Sequence, residues 1–105
     1  MSNNNEVPTE VFKFFLRLAE SGNAVAQYVI AICYQQGKGI DINYNKAFKW
    51  FYNSARGGFI NAQYSLAQCY IFGKGTHKDE HKAFLWYKVS AEGGSPTSNG
   101  PPMLF

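Results

Sequence analysis

The two histidines of this chain have the spacing most suggestive of a metal site. His77 and His81 are four residues apart, beside Asp79 and Glu80, and on a helix this spacing would allow both imidazoles to bind one ion. However, His77 precedes Asp79, a residue type that commonly caps the start of a helix, so we expect His77 to lie in a loop. A solvated, charged loop is the better interpretation, and the sequence predicts no metal or other cofactor.

Two glycine-rich segments raise the question of phosphate binding. Gly73-Lys74-Gly75-Thr76 shares residue types with a phosphate-binding loop, but that motif requires Gly-x4-Gly-Lys-Ser/Thr between a strand and a helix. The related segment Gly37-Lys38-Gly39-Ile40 lacks the hydroxyl that would bind magnesium. No serine, cysteine or carboxylate pair is accompanied by a positioned base, so we predict that the protein is not an enzyme.

Both glycine-rich segments belong to an internal repeat, because many positions recur after 36 residues, as from Ala26 to Ala62. A period of this length is typical of stacked helical repeats. Cys33 and Cys69 occupy equivalent positions in the two repeats. Such positions on packed helices lie roughly 8–10 Å apart, whereas a disulfide needs Cα atoms within about 7 Å. We therefore predict free thiols that pack as small hydrophobic groups.

The periodicity predicts five helices in an all-α fold. The first begins near Thr9, with Pro8 and Thr9 as stop and cap, and matches the second helix of a repeat. Each full repeat has a first helix, A, and a second helix, B, which end at glycines. The predicted A helices span 24–36 and 60–72, and the B helices span 43–56 and 79–92, with Asn43 and Asp79 as caps.

These helices give a domain of residues 9–94, composed of a partial repeat (9–21), repeat one (22–57) and repeat two (58–94). Residues 1–8 are expected to be disordered. Residues 95–105 are expected to form a flexible tail, because their prolines are incompatible with another helix.

Composition narrows the class of partner and the compartment. The hydrophobic content of 46% excludes wholesale disorder. The net charge of +3 is small and its lysines recur singly, so nucleic acid is not implied. The sequence has neither a signal peptide nor an apolar run long enough to span a membrane, which predicts a cytoplasmic protein with no membrane partner.

The repeated Ala-Gln-Tyr, the Gly-Lys-Gly turn and the Lys-Ala-Phe-x-Trp-Phe/Tyr segment closing on Ala-x-Gly-Gly resemble Sel1-like repeats. This resemblance implies an α-α superhelix, a right-handed solenoid of about two and a half repeats related to tetratricopeptide repeats. It also implies an adaptor or scaffold for protein complexes, in signalling among other processes. Some secreted relatives have a cysteine pair in each repeat and act on β-lactams, but each repeat here has one cysteine.

Comparison of the two repeats also predicts a binding surface. Four pairs of helix A positions differ in character and follow an i, i+4, i+7, i+11 spacing, which places them in one stripe. In solenoids of this type helix A lines the concave surface. We therefore predict that this stripe binds a protein or peptide and that its apolar members are exposed. The stripe comprises Val25, Val29, Ile32, Gln36, Asn61, Ser65, Gln68 and Phe72.

Several alternatives remain open. Trp50 and Trp86, and the tyrosines at 28, 34, 64 and 70, are expected to pack between helices and not to bind ligands. The chain could instead be an RNA-binding helical repeat, or a hydrolase like the β-lactam-active relatives. Because arrays generally need about three repeats, both ends should expose apolar surface, covered by self-association or by a missing neighbour.

Overall fold

The computed structural model describes residues 8–94, which form five α-helices and no strand. The helices are α1 Thr9–Glu20, α2 Ala24–Gln36, α3 Tyr44–Arg56, α4 Ile60–Phe72 and α5 Glu80–Ala91. The all-α fold is therefore confirmed. Both A helices, α2 and α4, have the predicted bounds, whereas α5 ends one residue before the predicted Glu92. The tail of residues 95–105 and residues 1–7 lie outside the described part of the chain.

Side-chain caps start both B helices of the full repeats. The carboxamide oxygen of Asn43 accepts a hydrogen bond from the backbone N–H of Lys46 at 3.0 Å. Asp79 accepts the equivalent bond from Lys82, also at 3.0 Å. These bonds satisfy N–H groups that have no partner within the helix, so polar residues at these two positions define where the helices begin.

The predicted cap at Thr9 is wrong. Pro8 occupies the N-cap position of α1, and no side chain caps this helix. Instead, the carbonyl of Pro8 accepts hydrogen bonds from the N–H groups of Val11 and Phe12 at 3.0 and 3.2 Å. Since the fixed φ of proline suits the approach to a helix, the chain enters α1 without a side-chain acceptor.

The glycine turns between A and B helices are required by the backbone and by packing. Gly37 and Gly73 close α2 and α4 in the left-handed region, with φ of 73° and 67°. Gly75 has φ of 75°, and a Cβ atom at this position would overlap with the carbonyl oxygen of Tyr44 and lie 2.9 Å from Cβ of Phe48. The turn after α4 therefore packs directly on the first turns of α3.

The helices pack in chain order, each against the next: α1 on α2, α2 on α3, α3 on α4, and α4 on α5. The main core cluster lies among α2 to α5 and includes the fully buried Phe51 and Leu66. A second cluster joins α1 to α2 and includes Phe12 and Ile30. Small alanines line both clusters, which allows neighbouring helices to approach closely.

The repeated glutamine of Ala-Gln-Tyr connects each A helix to the B helix before it. Nε2 of Gln27 donates to the carbonyl of Ala19 at 3.1 Å, and Nε2 of Gln63 donates to Ala55 at 3.0 Å. Gln63 is completely buried and also donates to the carbonyl of Gly94. Each glutamine thus adds a second donor to a carbonyl in the last turn of a helix, since Ala19 and Ala55 also accept from the backbone N–H groups of Gly22 and Gly58 at 3.0 Å.

Candidate partner-binding surface

The predicted stripe on α2 is only partly exposed. Val25 is 52% exposed, as predicted, and Gln36 is exposed as well. Val29 and Ile32 are half-buried, so the expectation that they face water freely is wrong. Val29 packs against the α1–α2 cluster and Ile32 against the main cluster. The packing of α1 on α2 is the physical reason for Val29, and contact with the main cluster is the reason for Ile32.

On α4 the stripe is more polar than on α2 and has the same pattern of exposure. Asn61 is exposed at the start of the helix, and Ser65 and Gln68 are half-buried along its middle. Phe72, the last residue of α4, is 66% exposed. An aromatic ring with so much exposed surface has lost little of its contact with water and remains available to another molecule.

An apolar groove of about 320 Å³ lies between α1 and α2. It contains two residues of the predicted stripe, Val29 and Ile32, together with residues of α1, and Lys38 is its charged member. The remaining lining residues are Val11, Phe12, Phe15, Tyr28 and Cys33. A concave apolar surface with a cation beside it is suited to an apolar side chain that has an acidic neighbour.

A second concavity, of about 200 Å³, lies at the equivalent place on α4. It contains three residues of the predicted stripe, Ser65, Gln68 and Phe72; its other lining residues are Gln35, Cys69 and Lys74. The equivalents of Val29, Ile32 and Lys38 after 36 residues are Ser65, Gln68 and Lys74. Equivalent A-helix positions therefore line both concavities, apolar in the first repeat and polar in the second, but the other wall is α1 in the first and Gln35 of α2 in the second.

The cysteines beside these concavities are buried free thiols, as predicted. Burial raises the pKa of the Cys33 thiol, although Lys38 opposes the shift. Burial raises the pKa of Cys69 to about 11, although Lys74 opposes the shift. A thiol with a raised pKa is a poor nucleophile at neutral pH, so these residues serve packing.

Repeated tyrosines interact with lysines at the inter-helix surface. The ammonium group of Lys46 lies 5.6 Å from the ring centroid of Tyr34, and that of Lys82 lies 5.7 Å from Tyr70. Burial is the main reason why the pKa of Tyr70 is raised to about 12. Tyr64 is 51% exposed, more than the other three tyrosines, but its ring on α4 lies 5.3 Å from that of Tyr87 on α5, so it also packs between helices as predicted.

The tryptophans pack as predicted. Trp86 is 2% exposed in the main cluster, and Trp50 is half-buried against both clusters. His77 lies in the turn before α5, and His81 lies on α5; both are exposed. Residues 8–94 contain no group of three metal-ligand side chains that could hold an ion. Among the helices described, none is both long and apolar enough to cross a membrane.

The Sel1 repeat family model matches residues 24–59 and 60–95. A Sel1 repeat protein of Oxalobacter formigenes superimposes with a TM-score of 0.78 at 31% identity, over 80% of this chain and 35% of the other. A protective antigen of uropathogenic Escherichia coli with an SLR fold gives a TM-score of 0.78 at 27% identity, over 80% of this chain and 18% of the other. This chain thus spans about a third or less of the length of either protein. No curated protein sequence matches significantly.

Proposed function

Because the chain belongs to the Sel1 repeat family, whose fold is commonly a protein-interaction module, we propose that it is a non-catalytic adaptor. It holds a protein or peptide segment on the face formed by α2 and α4. The apolar groove beside α2 is the observation that carries this proposal, because it combines half-buried Val29 and Ile32 with the cation of Lys38. The exposed ring of Phe72 extends the same face onto α4.

The charges of this face indicate what kind of segment fits. Lys38 and Lys74 recur at equivalent positions beside the two concavities. A segment with an apolar anchor would bury that side chain in the groove, and acidic neighbours would face the two lysines. The small net charge and the separation of the lysines give no comparable support to an RNA-binding surface. Two free cysteines in equivalent positions favour a reducing compartment such as the cytosol.

The test is to select peptides from a displayed random library on the full chain and to measure their affinity for two variants. Phe72→Asp changes the proposed face, whereas Phe84→Asp is a matched control, because Phe84 is 63% exposed on α5 and Phe72 is 66% exposed. We expect acidic, apolar peptides whose affinity falls at least tenfold with Phe72→Asp and changes little with Phe84→Asp. Peptides that bind both variants like the parent chain would overturn this assignment.

A further inference from the structure

The B helix α5 has a face that its counterparts α1 and α3 bury against another helix. Phe12, Phe48 and Phe84 are equivalent positions, 36 residues apart. Phe12 is 5% exposed and Phe48 is half-buried, but Phe84 is 63% exposed. A large apolar side chain kept at this position on α5 therefore lacks the cover that its equivalents have.

In the two earlier repeats, the cover is a tyrosine of the following A helix. The rings of Phe12 and Tyr34 are 5.7 Å apart and nearly perpendicular, at 89°. The rings of Phe48 and Tyr70 repeat this arrangement at 5.5 Å and 82°. Edge-to-face contacts of this kind stabilise the packing of the two rings beyond the effect of their burial. Among residues 8–94, no tyrosine ring covers Phe84 in this way.

A second equivalent position on the same helices shows the same pattern. Ala19 and Ala55 are 1% and 0% exposed, whereas Ala91 is exposed at the end of α5. Phe84 and Ala91 are seven residues apart, so they lie on one side of the helix. Phe84 and Ala91 thus occupy the positions at which α1 and α3 pack against the A helices that follow them.

The prolines that follow α5 restrict the occupant of this face. Residues 95–105 include Pro96, Pro101 and Pro102, which are incompatible with a helix like α4. A second copy has no spare A helix, because its α2 already packs between α1 and α3, and its α4 between α3 and α5.

We propose that this face of α5, with Phe84 at its centre, binds an A-type helix of a Sel1 repeat carried by another protein. The contact continues the α3–α4 interface of this chain by one further helix. Its chemistry follows from that interface: a tyrosine edge over Phe84, a glycine five residues later in a tight turn, and a glutamine seven residues before the tyrosine. Gln63, Tyr70 and Gly75 are these residues in α4.

One position of the face differs between the helices. Lys88 is exposed on α5, where the equivalent Leu16 and Tyr52 are half-buried against the core. Tyr52 lies close enough to Tyr70 to affect its ionisation. We therefore expect the ammonium of Lys88 to be near the tyrosine hydroxyl of the bound helix and to donate to it.

The probe is a synthetic peptide of residues 59–76 of this chain, which contains all three recognition residues. An isolated helix of this length is marginally stable in water, so a lactam bridge between substituted positions 61 and 65 holds it helical. Asn61 is exposed and Ser65 is half-buried in the chain, and their spacing suits the bridge. Binding to the full chain is followed by fluorescence anisotropy of a labelled peptide.

Saturable binding that weakens at least tenfold with Phe84→Asp, but not with Phe72→Asp, is the expected result. The Tyr70→Ala peptide should lose affinity to a similar extent. Circular dichroism of both protein variants checks that they remain folded, since both phenylalanines are exposed. In the peptide-library experiment Phe72→Asp is the test and Phe84→Asp the control, whereas here Phe84→Asp is the test and Phe72→Asp the control. Failure of one proposal is therefore distinguished from failure of the other.

Four outcomes would overturn the proposal. The first is absence of saturable binding by the bridged peptide. The second is binding that Phe72→Asp abolishes, which would place the helix on the α2–α4 face. The third is a dimer in light scattering that Phe84→Asp dissociates, which would make a second copy the occupant. The fourth is peptide binding that occurs only after removal of residues 95–105, which would assign the face to the chain's own tail.

Discussion

Gly75 shows how one residue can be fixed both by its conformation and by its surroundings. Its φ of 75° lies in the left-handed region, and a Cβ atom would overlap with the carbonyl oxygen of Tyr44. Gly73 has a similar φ of 67°, but a Cβ atom there would meet neighbours at ordinary distances of 3.5 Å or more. A side chain at Gly73 would therefore introduce backbone strain alone, whereas one at Gly75 would introduce both strain and steric overlap.

We expect Gly73→Ala to lower the free energy of unfolding by about 1–2 kcal/mol through left-handed strain alone. Gly75→Ala should cost at least about 1 kcal/mol more, because the turn must move away from α3. Urea denaturation followed by circular dichroism measures both values. Equal losses for the two variants would show that the turn does not pack tightly on Tyr44.

Cys69 provides a prediction about pH. Its ordinary pKa is 9.0, and burial in the folded chain raises it to about 11. Between these values the folded state holds more protons than the unfolded state, so the free energy of unfolding decreases as pH rises. The contribution of the neutral thiol is fully present below about pH 9 and is lost progressively towards pH 11.

Thermal melts at a series of pH values between 8 and 11 test this prediction. Cys69→Ala should make the decline shallower. Cys33→Ala is the matched control, because burial raises the pKa of Cys33 as well, but by less. An unchanged slope in Cys69→Ala would contradict the assignment of this thiol to the interior.

At the scale of the elements, Gln63 connects three of them. Its Nε2 donates to the carbonyls of Ala55, in the last turn of α3, and Gly94, which follows α5, while its helix is α4. Within residues 8–94, its Oε1 is buried without a hydrogen-bond partner. The carbonyl of Ala55 keeps a second donor when this side chain is removed, because it also accepts from the backbone N–H of Gly58 at 3.0 Å. The carbonyl of Gly94 loses the donor that Gln63 provides, and a buried group left unpaired costs about 1–3 kcal/mol.

Gln63→Ala should therefore lower the free energy of unfolding by about 1–3 kcal/mol, mainly through the carbonyl of Gly94. Gln27→Ala should cost about 1 kcal/mol, since Gln27 is half-buried and makes a single bond of this kind, to Ala19. The comparison needs only two denaturation curves. A Gln27→Ala variant that is less stable than Gln63→Ala would contradict this account.

The element bounds could be predicted from the sequence wherever a local signal defined them. Gly37 and Gly73 ended α2 and α4 at the observed residues, and Asn43 and Asp79 marked the starts of α3 and α5. At α1 the carbonyl of Pro8 replaced the expected threonine cap, which a residue pattern does not reveal.

The candidate surface was less predictable, because exposure depends on neighbouring helices. The helical spacing identified the stripe on α2, but it could not show that α1 packs against Val29. The structural role of Gln63 was also missed. Its recurrence at a fixed position beside a buried alanine was a usable signal, but only the fold shows the carbonyls that it satisfies.

At the scale of the whole molecule, stability should decrease towards both ends of the described chain. The terminal helices α1 and α5 each pack on one neighbour, whereas α2, α3 and α4 pack on two. In arrays of this kind stability is close to a sum of units and nearest-neighbour interfaces, so the ends open at lower free energy than the middle.

Native-state hydrogen exchange should therefore show faster exchange in α1 and α5 than in α3, by about tenfold for each 1.4 kcal/mol of difference in opening free energy. Binding of the helical peptide at Phe84 should slow exchange in α5 and leave α1 unchanged. Uniform protection across the five helices would indicate that the molecule opens only as a single unit.

The packing of each helix against the next in sequence also determines how the chain reaches its native state. Nearly all its stabilising interfaces form between segments that a short turn already holds together, so little chain entropy is lost in bringing them into contact. Proteins dominated by such local contacts fold on the microsecond to millisecond timescale. Refolding of this chain should accordingly be complete within about milliseconds in stopped-flow measurements, with the pairing of α2 and α3 as a natural starting point for growth in both directions.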